Sequence, residues 1–229
     1  MVEETRTSEG IGIVYEDDNI LAVNKPAGVL CIPDGYHPDL PHLRSILEPE
    51  YGRLWIVHRL DKVTSGIVLL ARSASIHRLL NQQFQDRQIF KIYHAIVSGS
   101  PVWDSLVVDE PLLVDGDRHH RTTINPLRGK PAQTELKIGK RFDDSTLLIV
   151  HPLTGYTHQI RAHLACIGFP ILADLLYGAQ PVSTASPFRR PALHALVVDF
   201  QLPGYPLPLH LQADYAPDFL EYINQRASS

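Results

Sequence analysis

The chain has 229 residues and 44% hydrophobic content, enough to bury a sizeable core and to exclude disorder as its main state. Lys and Arg number 21 against 25 Asp and Glu, a net charge of −4, so any nucleic-acid site must be a local basic patch rather than a global field. Two distant cysteines without a CxxC suggest neither a disulfide framework nor a zinc ribbon, and the acidic opening MVEETRTSEG does not read as a signal peptide, so none is expected. A soluble, cytoplasmic protein with no membrane span is expected.

Residues 1–10 are expected to form a disordered tail ahead of a single domain over 11–229. Two apolar runs around Glu16-Asp17-Asp18-Asn19 predict a β-hairpin ending at Lys25-Pro26. A polar, Pro-rich loop is expected from there to VHRLDKVTSGIVLLARS, Val57 to Ser73. In that segment IVLLA reads as a strand buried on both faces, while HRLD and KVTSG carry turn chemistry. Asp61 therefore lies at a strand edge, where function concentrates, although an Asp between Leu and Lys is also an ordinary surface turn residue.

Ile76, Leu79, Leu80 and Phe84 recur at helical spacing behind Ser73 and Ser75, predicting a capped amphipathic helix to about Arg87. Phe90, Ile92, His94 and Ile96 alternate with Lys91, Tyr93, Ala95 and Val97, the period of a strand. From Asp104 to Lys130 the chain is loop-rich, with Arg118, His119, His120, Arg121, Arg128 and Lys130, and a basic loop of that length is often functional. Strands are expected at QTELKIGKRF and TLLIVHPL. Thr157 is expected to cap a helix with the stripe Ile160, Leu164 and Ile167, ended by Gly168 and Pro170. PVSTASPFRRP reads as a loop ending in Arg189 and Arg190, followed by strands ALHALVVDF and HLQADY and the helix PDFLEYINQR. These elements make one α+β domain.

Twelve histidines raise a metal hypothesis. His158 and His163, five apart, would point about 140° from each other on a helix, whereas paired helical ligands need i, i+4. No metal site is expected. The chain has no phosphate-cradling glycine loop, GxSxG elbow or redox CxxC, which removes the common NTPase, hydrolase and thioredoxin readings. His158 and Arg161 share a helical face beside the apolar stripe. Such an Arg either has a carboxylate or phosphate partner or snorkels to water.

VHRLDKVTSGIVLLA resembles the HRLDxxTSG signature of the RluA family of RNA pseudouridine synthases. The likeness continues in order through YEDDNILAVNKPAGVL, FKIYHAIVSG, GKPAQTEL, HPLTGYTHQIRAHLACIGFPILADLLYG and RPALHALVVDF, covering about residues 13 to 215. The resemblance implies a pseudouridine synthase fold: a mixed, largely antiparallel β-sheet flanked by helices and loops, with residues 11–229 as the catalytic domain. Because the chain begins shortly before YEDD, it is expected to lie in the branch without an N-terminal RNA-binding module.

The resemblance further implies an isomerase, acting without a cofactor on uridines of 23S ribosomal RNA, transfer RNA or both, and on no DNA, as a monomer. It assigns the catalytic carboxylate to Asp61, base displacement to Arg59, the stacking ring to Tyr93 and the counter-charge to Arg161. His58, Thr64, Lys91, His158 and Leu193 are the further substrate contacts it implies. Arg118, Arg121, Arg128, Lys130, Arg189, Arg190 and Tyr156 are expected to meet the RNA backbone. Two departures stand out. Tyr156 replaces an Arg usual in TGRxHQIR, and Ala173 replaces a Gly usual before Asp174, which is tolerable unless that position needs φ > 0. The competing readings are an RNA-binding or RNA-folding protein with secondary or lost catalysis, and a histidine-based metal hydrolase.

Overall fold

The computed structural model describes residues 5–6, 10–181 and 186–227. Of the tail expected over residues 1–10, Thr5–Arg6 forms strand β1, and residues 1–4 and 7–9 lie outside the described residues, as do 182–185 of the PVSTASPFRRP loop. Next in chain order come β2 (Gly12–Glu16), β3 (Ile20–Lys25), α1 (Leu43–Tyr51), β4 (Trp55–Ile56), β5 (Ser65–Ala71) and α2 (Ala74–Gln85). The middle of the chain forms β6 (Phe90–Ser98), β7 (Ser105–Asp109), β8 (Leu112–Leu113), β9 (Thr123–Ile124), β10 (Gln133–Arg141) and β11 (Ser145–Pro152). Then follow α3 (Gln159–Cys166), a 3-10 turn (Leu175–Tyr177), β12 (Leu193–Phe200), β13 (Leu209–Gln212) and α4 (Pro217–Ala227). The class is α+β with largely antiparallel ladders, as expected.

Contacts gather into two compact units, one reaching Lys91 and including Ala195–Ala216, the other holding Ile92–His194 and the chain from Pro217. In the first unit the strand order is β1-β2-β3-β5-β12, with β4 on β5 and β13 on β12. Asp17 closes the hairpin, its Oδ1 accepting the N–H groups of Asn19 at 2.7 Å and Ile20 at 2.8 Å. All seven residues of β5 are buried, which is why its sequence is apolar without alternation. Ser73 caps α2 by accepting the Ile76 N–H at 3.3 Å, as its position predicts.

The Pro-rich loop expected before Val57 needs correction, because it contains α1. His42 Nδ1 accepts the Ser45 N–H at 3.3 Å and Ser45 Oγ accepts the His42 N–H at 3.0 Å, a reciprocal cap built without the usual N-cap residue types. Leu43 and Leu47 bury the inner face, and Pro49 lies inside the helix.

In the second unit the order is β6-β11-β10-β7, all antiparallel, and β8-β9 is a separate small ribbon within the expected insertion. Phe188 and Phe219, both fully buried, pack edge to face at 5.3 Å and bring α4 onto the chain leading into β12. The N-terminus of α3 is a second correction. Its cap is His158 in the left-handed region (φ 57°), not Thr157, and no side chain caps it.

Candidate active site

Asp61 opens a tight turn in the first unit, where the Thr64 N–H donates to the Asp61 carbonyl at 3.0 Å. Three groups that sequence reasoning missed pin this turn. Lys25, fully buried at the end of β3, donates from Nζ to the carbonyls of Pro26 and Val29 at 2.9 Å and of Lys62 at 3.3 Å. The Gly28 N–H reaches the same Lys62 carbonyl at 2.7 Å. Buried Cys31 accepts the Leu60 N–H at 3.3 Å and donates to the Leu60 carbonyl at 3.5 Å, and burial holds its thiol above the ordinary range, keeping that S–H in place. Leu60 is thus buried and clamped, while its neighbour Arg59 stands exposed and Asp61 half-buried.

Thr64 follows with an unusual feature. Its residue is 2% exposed, and its Oγ1 has no hydrogen-bond partner among the described residues. Buried hydroxyls are nearly always bonded, which makes Thr64 an exception in the turn that follows Asp61. Gly66 explains the end of the TSG signature: a Cβ there would lie 2.1 Å from the Ala195 carbonyl oxygen of β12, and φ is +114°.

His58 sits where β4 stops pairing with β5. Val57 still donates to the Leu69 carbonyl at 3.2 Å, but the Leu69 N–H is taken by His58 Nε2 at 3.1 Å, so a ring nitrogen replaces the next ladder acceptor as the chain turns away toward Arg59. The ring also stacks on Phe84 at 4.8 Å. Burial, with a smaller contribution from Lys91, pushes the His58 pKa down to about 3, so the imidazole is neutral and remains an acceptor. Lys91, partly buried, is itself pushed down to about 8 by burial and then by Arg87.

In the second unit the TGYTHQIR segment is organised by Gln159. Its Oε1 accepts from Thr154 Oγ1 at 2.8 Å and the Tyr156 N–H at 3.1 Å, and its Nε2 donates to the Gln133 carbonyl and Thr134 Oγ1, both at 3.0 Å. This fully satisfied buried amide fixes the turn that places His158 in its left-handed conformation. His163 is structural, with its ring nitrogens 2.8 Å from Thr134 Oγ1 and 3.0 Å from the Glu110 carbonyl.

Arg161 is 5% exposed and forms a bidentate pair with Asp174, Nε to Oδ2 at 2.7 Å and Nη2 to Oδ1 at 2.8 Å. It therefore does not snorkel. The guanidinium lies 5.0 Å over the ring of Tyr177. Asp174 and Tyr177 escaped sequence reasoning, although an acid and an aromatic flanking a 3-10 turn just beyond a buried helical Arg are the signal that could have found them. Tyr93, in β6 opposite Val150, is half-buried. Leu193 opens β12 and is buried, its carbonyl accepting from Arg190 at 3.1 Å.

The expected backbone-binding residues divide. Arg118, Arg128 and Lys130 are exposed on the insertion, whereas Arg121 is braced by Asp117 at 2.6 Å and by the Leu176 carbonyl at 3.1 Å. Arg189 is exposed and folds back onto the Ser186 carbonyl at 2.6 Å. Arg190 is engaged within the protein: its side chain is 12% exposed, and its nitrogens bond both oxygens of Asp218 at 2.8 Å and the carbonyls of Pro191 and Leu193. These bonds tie α4 to the chain before β12. Tyr156 packs partly buried against the cluster of Leu112, Ala132 and Ala162, so its ring substitutes packing for the charge usual there.

A family model described as RNA pseudouridylate synthase matches residues 19–166. The chain is 35% identical over 218 residues to the dual-specificity RNA pseudouridine synthase RluA of Vibrio vulnificus, across 92% of this chain and 86% of that protein. It is 35% identical over 194 residues to the Escherichia coli K12 protein of the same name, across 84% and 88% of the two. Among solved structures, human RNA pseudouridylate synthase domain-containing protein 4 superposes with a TM-score of 0.77 at 24% identity, across 94% and 92%, a likeness of fold.

Proposed function

Since the chain belongs to the RluA family of RNA pseudouridine synthases, isomerases of uridine in RNA, we propose that it modifies stem-loops of both 23S ribosomal RNA and transfer RNA. The breadth of target rests on its relatives named dual-specificity enzymes. In the reaction the bond from ribose carbon 1′ to nitrogen 1 of the base breaks and one to carbon 5 forms. The carbon 5 proton leaves, nitrogen 1 gains a proton, and no net oxidation occurs.

The observation that carries this reading is the turn at Asp61. Lys25, Gly28 and Cys31 immobilise its backbone on both sides while the carboxylate stays half-buried, the rigid support a reacting group needs. Asp61 is the catalytic carboxylate in this proposal. Exposed Arg59 fills the place of the extruded base, an extrusion that costs a few kcal/mol and is cheapest in loops. Tyr93 stacks on the uracil, worth about 1–3 kcal/mol. Arg161 supplies positive charge, with its plane preset by Asp174. The Thr64 hydroxyl and Lys91 contact the target nucleotide, and Arg118, Arg128 and Lys130 meet phosphates. Buried Cys31 and exposed Cys166, both free thiols, fit a reducing cytoplasm, where the enzyme acts as a monomer.

The test is pseudouridine mapping of 23S ribosomal RNA and transfer RNA transcripts before and after incubation with the purified protein. New pseudouridine at discrete stem-loop positions in both RNAs is expected. Binding without isomerisation in either RNA would overturn the proposal in favour of an RNA-folding role.

A further inference from the structure

The hydroxyl of Tyr177 stands where three segments of the second unit meet. It accepts the Thr122 N–H at 2.9 Å, donates to the Thr122 carbonyl at 3.2 Å, and lies 3.1 Å from Nδ1 of His158. A phenol has one proton to give, so these three contacts are satisfied together only when His158 carries its own proton on Nδ1. Thr122 is 2% exposed, and its Oγ1 donates to the Thr157 carbonyl at 2.6 Å, so the insertion is tied both to the 3-10 turn and to the approach to α3. Arg121 adds a further tie through the Leu176 carbonyl at 3.1 Å.

The ring of the same residue performs a separate task. Its face supports the Arg161 guanidinium at 5.0 Å, and it meets the His158 ring edge to face at 5.7 Å. Asp174, three residues earlier, grips Arg161 through two charge-assisted bonds. One short turn therefore carries both the carboxylate and the ring that orient Arg161, and its hydroxyl holds the insertion on which Arg118, Arg128 and Lys130 are exposed.

We propose that Tyr177 is a positioning residue with two separable functions, its hydroxyl setting the RNA-contacting insertion and its ring setting the plane of Arg161. This rests on the roles given above to the insertion and to Arg161. The hydroxyl then acts on substrate affinity and the ring on the chemical step, through neighbours and without touching the reacting base.

Two variants separate the functions, Tyr177→Phe and Tyr177→Leu, compared with wild type in steady-state isomerisation of a stem-loop substrate and in amide exchange at Thr122. Tyr177→Phe keeps the ring. Exchange at Thr122 should accelerate and KM should rise about fivefold, the effect of one neutral hydrogen bond, with kcat within about twofold of wild type. Tyr177→Leu should add a fall in kcat of about tenfold or more, since Arg161 loses its platform. Wild-type exchange at Thr122 in Tyr177→Phe, or faster exchange with unchanged KM, would overturn the proposal. Acceleration at every amide would also overturn it, by making the hydroxyl a global stabiliser. Failure of the underlying reading has a different signature, because wild-type protein would then release no pseudouridine at all.

Discussion

Arg161 and Asp174, thirteen residues apart, face each other through two parallel bonds of 2.7 and 2.8 Å at side-chain exposures of 5% and 1%. A pair so buried contributes little over an apolar pair, but removing one charge leaves the other uncompensated. Asp174→Asn should therefore cost about 3–5 kcal/mol in urea unfolding and lower isomerisation as the guanidinium loses its fixed plane. A loss under about 1 kcal/mol would show that solvent reaches the pair.

The residue before Asp174 is held in an unfavourable backbone state. Ala173 has φ +61°, so the position does need the left-handed conformation that the usual Gly adopts without cost. Ala173→Gly should stabilise the protein by about 0.5–1 kcal/mol, because relief of strain exceeds the added freedom of the unfolded chain. Thermal unfolding checks this, and a lowered Tm would show that the methyl group contributes packing that outweighs the strain.

Thr64 separates stability from activity in the opposite direction. Its Oγ1 is buried without a partner among the described residues, so Thr64→Val removes an uncompensated hydroxyl at nearly constant shape. The variant should be as stable as wild type or more so by about 1 kcal/mol, yet isomerise about tenfold more slowly if the hydroxyl bonds the target nucleotide. Unchanged kcat/KM would remove Thr64 from the site.

Lys91 gives a pH signature. Its pKa is lowered to about 8, so the ammonium proposed above to contact the target nucleotide is charged below that pH and neutral above it. Activity at subsaturating RNA should fall as pH rises through about 8 in wild type and stay level there in Lys91→Arg, which keeps its charge. His58, pushed down to about 3, is neutral on both sides of this window and contributes no limb. A limb that survives in Lys91→Arg would assign the titration to another group.

Elements whose signal is local were legible in the sequence. The Asp17 turn, the Ser73 cap of α2, the strand β6, whose burial nonetheless does not alternate, and the closing α4 all depend on residues within a few positions. Helix α1 was hidden by Pro41 and Pro49 and by a cap built from His42 and Ser45, whereas α3 was legible and only its first residue was displaced, by a left-handed His158 that no helix-start rule anticipates. At the site, HRLD and HQIR announced themselves. Their supports did not, because Lys25 on the Lys62 carbonyl, Cys31 on Leu60, and Asp174 on Arg161 are long-range bonds that leave no periodicity. The same holds for Arg190, whose exposed-looking loop position conceals its pairing with Asp218.

In the proposed reaction Asp61 performs the isomerisation. Tritium release from carbon 5 of labelled uridine in a stem-loop RNA, measured for wild type and Asp61→Asn with RNA affinity determined alongside, tests it most directly. The turn that holds Asp61 is made by backbone and by Lys25 and Cys31, so the Asn variant should fold and bind RNA within about twofold of wild type. Its release of tritium should fall by at least about a thousandfold. Release at a rate near wild type, with binding intact, would contradict the account.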